Sequence, residues 1–276
     1  GNRVERHRVS LVRPWLQANP RQWPRGGQRL TAWKSYCLDL RNMAAPGYFL
    51  VADVLGFGRI VDNSSESELD QRIGGWTSLV ESTAATHGII HFQLVSDTLF
   101  VAEPSSEAGL ANLLNFSIEL LSAGVLRSLP VRGAIVHDSY EWGKLTYGRA
   151  VIAAHQLEQA QNWIGITCAS GLPAIDRFWS IDCVVCYPPP LKRAPMQLHP
   201  VLAWDVPDSG ELLRLLVGGG LVKEREVLTW ELGEKANNTA LFGLYLAMLR
   251  ENALDCSKFH GSLPVQAIEA GYRLRT

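Results

Sequence analysis

Two apolar runs that each end on an aspartate, one from Tyr48 to Asp53 and one from Gln93 to Asp97, restrict this chain more than any other feature. A carboxylate at the end of a buried strand is costly unless a metal or a cation compensates it. Two such carboxylates, brought side by side by a sheet, make a hard, oxygen-rich site. That chemistry suits Mg²⁺ or Mn²⁺ carrying a polyphosphate.

The chain has 276 residues, 47% hydrophobic and 19% charged, enough to bury a full core without metals or disulfides. Cys37, Cys168, Cys183, Cys186 and Cys256 are odd in number and scattered, which suits a reducing cytoplasm. Cys183 and Cys186 lie three apart in a strand-like run and therefore face opposite sides, which argues against a redox or zinc pair. No apolar run reaches the roughly 18 residues of a membrane span, and the basic start lacks the apolar stretch of a signal peptide. A cytoplasmic protein is expected. The net charge of −1 hides an asymmetry, because residues 1–46 carry nine Lys/Arg against two acids. Those arginines are spread among prolines and glycines, so a flank that packs on an acidic body or a partner subunit is favoured over a nucleic-acid or membrane contact.

The periodicity predicts a short helix over 28–42, a buried strand over 48–54, and a helix capped by Ser65 or Ser67 that runs to about Ala85. Strands over 89–96 and 98–103 bend at Ser96 and Asp97, and a helix from about 104 to Gly124 follows. Further on come a strand over 130–137, a returning segment to Tyr147, and a helix from Arg149 to about Asn162. A strand over 164–168, a short helix over 170–178 and a strand over 183–187 complete the body; helices over 211–217, 223–232 and 238–251 follow. The order is that of an α+β, ferredoxin-like split βαβ sheet with helices on one face and a helical C-terminal appendage. The expected division is a basic flank over 1–46, a catalytic domain over 47–200 and the appendage over 201–276. In this topology the first strand pairs beside the hairpin, so Asp53 and Asp97 converge.

Gly56, Phe57 and Gly58 follow Asp53 and lead toward a helix. Glycines permit close backbone approach, and N–H groups ahead of a helix attract phosphate oxygens. The segment lacks the third glycine of a dinucleotide fingerprint and the Gly-Lys-Ser/Thr of a P-loop.

Residues 47–192 resemble the catalytic domain of class III nucleotidyl cyclases, whose first strand carries F-x-D-I/V-x-G-F-T and whose hairpin carries K-x-x-G-D. Asp53 and Asp97 match the two metal-binding aspartates of that family. The segment from Tyr147 to Glu158 resembles its G-x-x-V-N-x-A-x-R-L-E helix, and Lys192 falls where the family keeps a phosphate-binding lysine. Ile152 and Gln156 replace the usual asparagine and arginine, and Gln93 and Leu145 stand at the purine-reading positions. A purine pocket without its polar readers discriminates poorly. The chain is then either a silent regulatory homologue or a reader of another base.

Ser96-Asp97-Thr98, Arg132-Gly133-Ala134-Ile135, Gly148-Arg149-Ala150 and Leu157-Glu158 resemble the Pycsar cyclases, a bacterial antiphage family that makes cyclic UMP or cyclic CMP. The resemblance implies a homodimer with sites completed across a twofold axis and two Mn²⁺ or Mg²⁺ ions per site. Asp53, Asp97 and the Val54 carbonyl would hold the ions, and Arg149 or Arg132 would supply the cation at the α-phosphate. Substrate contacts fall to Tyr48, Gly56, Phe57, Gln93 and Lys192. A nucleoside triphosphate is the implied substrate, and a separate effector protein reads the product. No stable nucleic acid or membrane partner is implied. A silent cyclase-homology dimer and a ferredoxin-like RNA-binding domain are the alternatives; the second lacks the basic aromatic strand that stacks bases.

Overall fold

The computed structural model describes residues 45–192, 197–217 and 230–251; the helix expected over 28–42, the basic flank to residue 44 and most of the helix expected over 223–232 lie outside them. Strand β1 (Ala45–Val54) is the axis of the sheet. Its near-continuous apolar run is what burial on both faces requires, and Phe49, Leu50, Val51 and Ala52 are fully buried. Strands β2 (Phe92–Val95) and β3 (Thr98–Pro104) form a hairpin, and β4 (Val131–Glu141) lies on the other side of β1. The order β2-β3-β1-β4, with antiparallel neighbours, is the split βαβ arrangement expected from the sequence. Beyond β4 the sheet continues through β6 (Gly165–Cys168), β8 (His199–Leu202) and β7 (Val184–Tyr187), while β5 (Tyr147–Gly148) pairs with β4. The α+β class holds.

Six helices accompany the sheet among the described residues: α1 (Phe57–Asn63), α2 (Glu66–His87), α3 (Glu107–Leu126), α4 (Arg149–Ala160), α5 (Ser209–Leu216) and α6 (Trp230–Glu251). Ser65 caps α2 in a capping box with Glu68, and Gly88 ends it at a φ of 68°. The even residues of β1 (Tyr48, Leu50, Ala52 and Val54) enter the main core, together with residues of α2, α3, α5 and α6. Burying each large side chain there stabilises the fold by about 1.5–3 kcal/mol. One detail differs from the expected single helical face. Ala150 and Ala154 of α4 pack on Phe49, Val51, Ala102 and Val136, so α4 covers the opposite face. Small side chains four apart let that helix lie close on β1 and β4.

Helix α3 is the one described helix long and apolar enough to cross a membrane, yet its Leu110, Leu113, Leu114, Leu120 and Leu121 are fully buried in the core. Helix α6 joins the same core, with Phe242 edge-on to Trp163 at 5.0 Å and Thr239 Oγ1 accepting from the Ile164 N–H at 2.8 Å. Helix α1 and strand β8 were not expected. The helix expected over 170–178 contracts to a 3₁₀ turn at Ile175–Phe178. Both α1 and β8 are too short to carry a periodic signal, and each depends on tertiary pairing.

Candidate active site

Asp53 lies one step beyond the last β1–β3 pair, Ala52 with Leu99, and therefore opposite Thr98. The β2–β3 hairpin closes with Val95 paired to Thr98, which leaves Ser96 and Asp97 as a two-residue loop. Ser96 adopts a φ of 60°, and the tight turn fixes where Asp97 stands. Strand end and hairpin tip thus meet. Burial raises the Asp97 carboxyl above the ordinary carboxylate range, the charge of Asp53 adds to the rise, and hydrogen bonds to its own N–H and to Ser96 oppose it. Asp53 Oδ1 is buried without a hydrogen-bond partner.

A cation-carboxylate pair explains how Asp53 is held. Asp53 and Arg132 are direct partners across the β1–β4 ladder, and Arg132 Nη2 donates to Asp53 Oδ2 at 3.2 Å. The same Nη2 pairs with Glu158 Oε1, and Nη1 donates to the Gln161 carbonyl at 3.3 Å. Glu158 extends the inward stripe of Ala150 and Ala154 on α4 and is 2% exposed. Its carboxyl is pushed up to about 7, first by burial and then by the Asp53 charge, with Arg132 opposing. Gln161 is fully buried and saturated. Its amide donates to the Gly133 and Leu157 carbonyls and accepts from Trp163 Nε1 and Thr167 Oγ1.

The other residues singled out from the sequence divide. Gln93 faces the same side as Asp53, because its partner Phe100 packs into the α4-side cluster and is paired in turn with Val51. Its Oε1 accepts from Thr146 Oγ1 at 3.4 Å, beside the 72%-exposed Leu145. Gly56 has a φ of 76° and precedes α1 without a side-chain cap, while Phe57 is half-buried against the main core. Tyr48 does not join the site. Five positions from Asp53, an odd number, put it on the opposite face, where it is 1% exposed and donates to the Pro173 carbonyl at 3.0 Å. It is a core aromatic.

Arg132 is likewise buried and committed to Asp53 and Glu158, so it backs the carboxylate instead of projecting toward a substrate. Arg149 starts α4, is largely exposed and pairs with Asp138 at 3.0 Å. Nine helical residues, about 13 Å, separate it from Glu158 beside Asp53. Lys192 sits at the other end of α4, where its Nζ donates to the Gln159 carbonyl at 3.3 Å. Glu158, Gln161 and Thr146 were not singled out as site residues from the sequence. The spacing of four through Ala150, Ala154 and Glu158 was the available signal for the first.

The donor set fits a hard divalent cation. Asp53 keeps a buried oxygen without a partner, Asp97 is partly desolvated beside it, and both offer carboxylate oxygens. Among the described residues, no three His, Cys, Asp or Glu side chains cluster closely enough to form a metal cage. Two carboxylates completed by substrate phosphates are the usual way Mg²⁺ is bound.

Solved structures similar to this chain include the adenylyl cyclase CyaB from P. aeruginosa, at 16% identity and a TM-score of 0.44 over 58% of this chain and 95% of that one. The guanylate cyclase domain of RhGC from Catenaria anguillulae in complex with GTP matches at 14% identity and a TM-score of 0.48, over 58% of this chain and 97% of that one. A bacterial light-regulated adenylyl cyclase matches at 13% identity and a TM-score of 0.44, over 64% and 99%. No family model and no curated protein sequence matches the chain.

Proposed function

We propose that the chain is a nucleotidyl cyclase that converts UTP or CTP to the 3′,5′-cyclic mononucleotide and pyrophosphate. Its biological role in this reading is to make a second messenger for bacterial antiphage defence, as a cytoplasmic homodimer whose product a separate effector reads. The observation that carries the proposal is the meeting of Asp53 with Asp97, with one Asp53 oxygen buried and unpartnered.

Asp53, Asp97 and the Val54 carbonyl are the residues to hold two Mn²⁺ or Mg²⁺ ions. Bound there, such ions would supply Lewis acidity, which would make the ribose 3′-hydroxyl more acidic and offset the charge of the departing pyrophosphate. The 3′-oxygen bonds to the α-phosphorus as the bond from that phosphorus to the β-phosphate oxygen breaks, and the hydroxyl proton passes to solvent. Gly56 and Phe57 open α1 immediately after the metal aspartate, where main-chain N–H groups donate to phosphate oxygens. Gln93 and Thr146, already in contact on that face, offer an amide and a hydroxyl to the edge of the base. Arg132 holds Asp53 in place. Arg149, too far along α4 to serve Asp53 of its own protomer, supplies the cation at the α-phosphate across a twofold axis. Lys192 contributes to phosphate binding from the opposite end of that helix.

Incubation of the purified chain with Mn²⁺ and each of the four ribonucleoside triphosphates, followed by mass identification of the product, tests the reading. Cyclic UMP or cyclic CMP is expected. A folded protein that yields no cyclic nucleotide from any of the four contradicts it and favours a silent homologue.

A further inference from the structure

A guanidinium directly opposite a carboxylate tends to form a two-point ion pair that engages both oxygens. Arg132 stands in that position toward Asp53, yet it takes only one oxygen, Oδ2 at 3.2 Å. Glu158 Oε1 is the nearer partner of the same Nη2, and the Gln161 carbonyl holds Nη1 at 3.3 Å. Both competing acceptors lie at the C-terminal end of α4, and Glu158 is locked there by burial at 2% exposure. Asp53 Oδ1 is left without a hydrogen bond, as are Arg132 Nε and Glu158 Oε1, so the three groups meet as an ion-pair cluster that does not close on Asp53.

We propose that Glu158 is a positioning residue of the metal site: it draws Arg132 back from Asp53, so that one Asp53 oxygen stays available for a divalent cation while Arg132 orients the other. The inference rests on the cyclase reading of Asp53 and Asp97 and extends it to a residue that acts through Arg132. Without Glu158, the guanidinium is free to close on Asp53 and compete with the ion.

The test is titration of Mn²⁺ alone, followed by electron paramagnetic resonance of the free ion, on wild type, Glu158→Gln, Arg132→Gln/Glu158→Gln and Asp53→Asn. Glu158→Gln is expected to weaken Mn²⁺ binding by about tenfold or more, as loss of a supporting partner does at metal sites. The double variant, which removes the rival cation as well, is expected to recover most of that loss; a merely structural role gives no such recovery. Equal affinity in wild type and Glu158→Gln, or a double variant no better than the single one, overturns the proposal. If circular dichroism finds Glu158→Gln unfolded, Glu158→Asp replaces it and must bind with intermediate affinity. Failure of both to fold also overturns the proposal, because Glu158 is then a requirement of the fold. A wild type that binds no Mn²⁺ without nucleotide overturns this role but not the cyclase reading, in which phosphates complete the site; an Asp53→Asn variant that binds Mn²⁺ equally well removes the metal role of Asp53 and the cyclase reading with it.

Discussion

Arg132 and Asp53 face each other across the β1–β4 ladder, with the guanidinium 3.2 Å from one carboxylate oxygen and the other oxygen buried and unpartnered. An unmatched acceptor in that environment costs about 1–3 kcal/mol. It persists because the surrounding strands fix the carboxylate and because Arg132 is shared with Glu158. The hairpin brings Asp97 to the same end of β1.

Tyr48→Phe separates the core from the site. The substitution removes the hydrogen bond to the Pro173 carbonyl on the face opposite Asp53 and is expected to lower stability by about 1 kcal/mol. Turnover and base preference are expected to stay within twofold of wild type in the mass assay. A change of base preference would return Tyr48 to the pocket.

Gln161→Leu tests the frame behind Arg132. It strands the Trp163 Nε1 and Thr167 Oγ1 donors and the Gly133 acceptor in a dry interior, at a cost of about 3 kcal/mol or more. Chemical denaturation is expected to show that loss with an unchanged m-value.

Gln93→Glu tests base reading. Replacing the amide with a carboxylate on the Asp53 face, beside Thr146, is expected to change the preference between UTP and CTP by about tenfold, because leaving one polar group of the base edge unmatched costs about 1–3 kcal/mol. Mn²⁺ affinity is expected to hold. Unchanged preference would place the base elsewhere.

Glu103 supplies a pH signature. Burial pushes its carboxyl from the ordinary 4.5 to about 7, so between those values the folded chain binds more protons than the unfolded one. The stabilisation from the neutral form is complete below the unfolded value and is lost as pH rises through about 7. Between pH 5 and pH 8 the loss is on the order of 2–3 kcal/mol. Glu103→Gln is expected to remove that component of the pH dependence and to melt higher than wild type at pH 8. Parallel pH profiles of the two proteins contradict the assignment.

Much of the site was legible where chemistry coincides with strand geometry. Asp53 and Asp97 each close an apolar run, and the split βαβ order brings them together without further information. The parity of β1 was also written in the sequence, since Tyr48 and Asp53 differ by an odd number of residues, but membership of one motif obscured it. Arg132 looked like a free cation because its partners, Asp53 and Glu158, lie 79 and 26 positions away and meet it only through sheet pairing and the docking of α4. The lone carboxylate on the alanine stripe of α4 was the clue to a buried counter-ion. The short strand β8, which contains Pro200 and pairs between β6 and β7, had no local signal at all.

Counting bound Mn²⁺ by electron paramagnetic resonance, in the presence of a UTP or CTP analogue that cannot cyclise, tests the joint role of Asp53 and Asp97 most directly. The expected result is two ions per protomer in wild type, with at least one lost in both Asp53→Asn and Asp97→Asn. The same ion count in wild type and both variants would contradict the account.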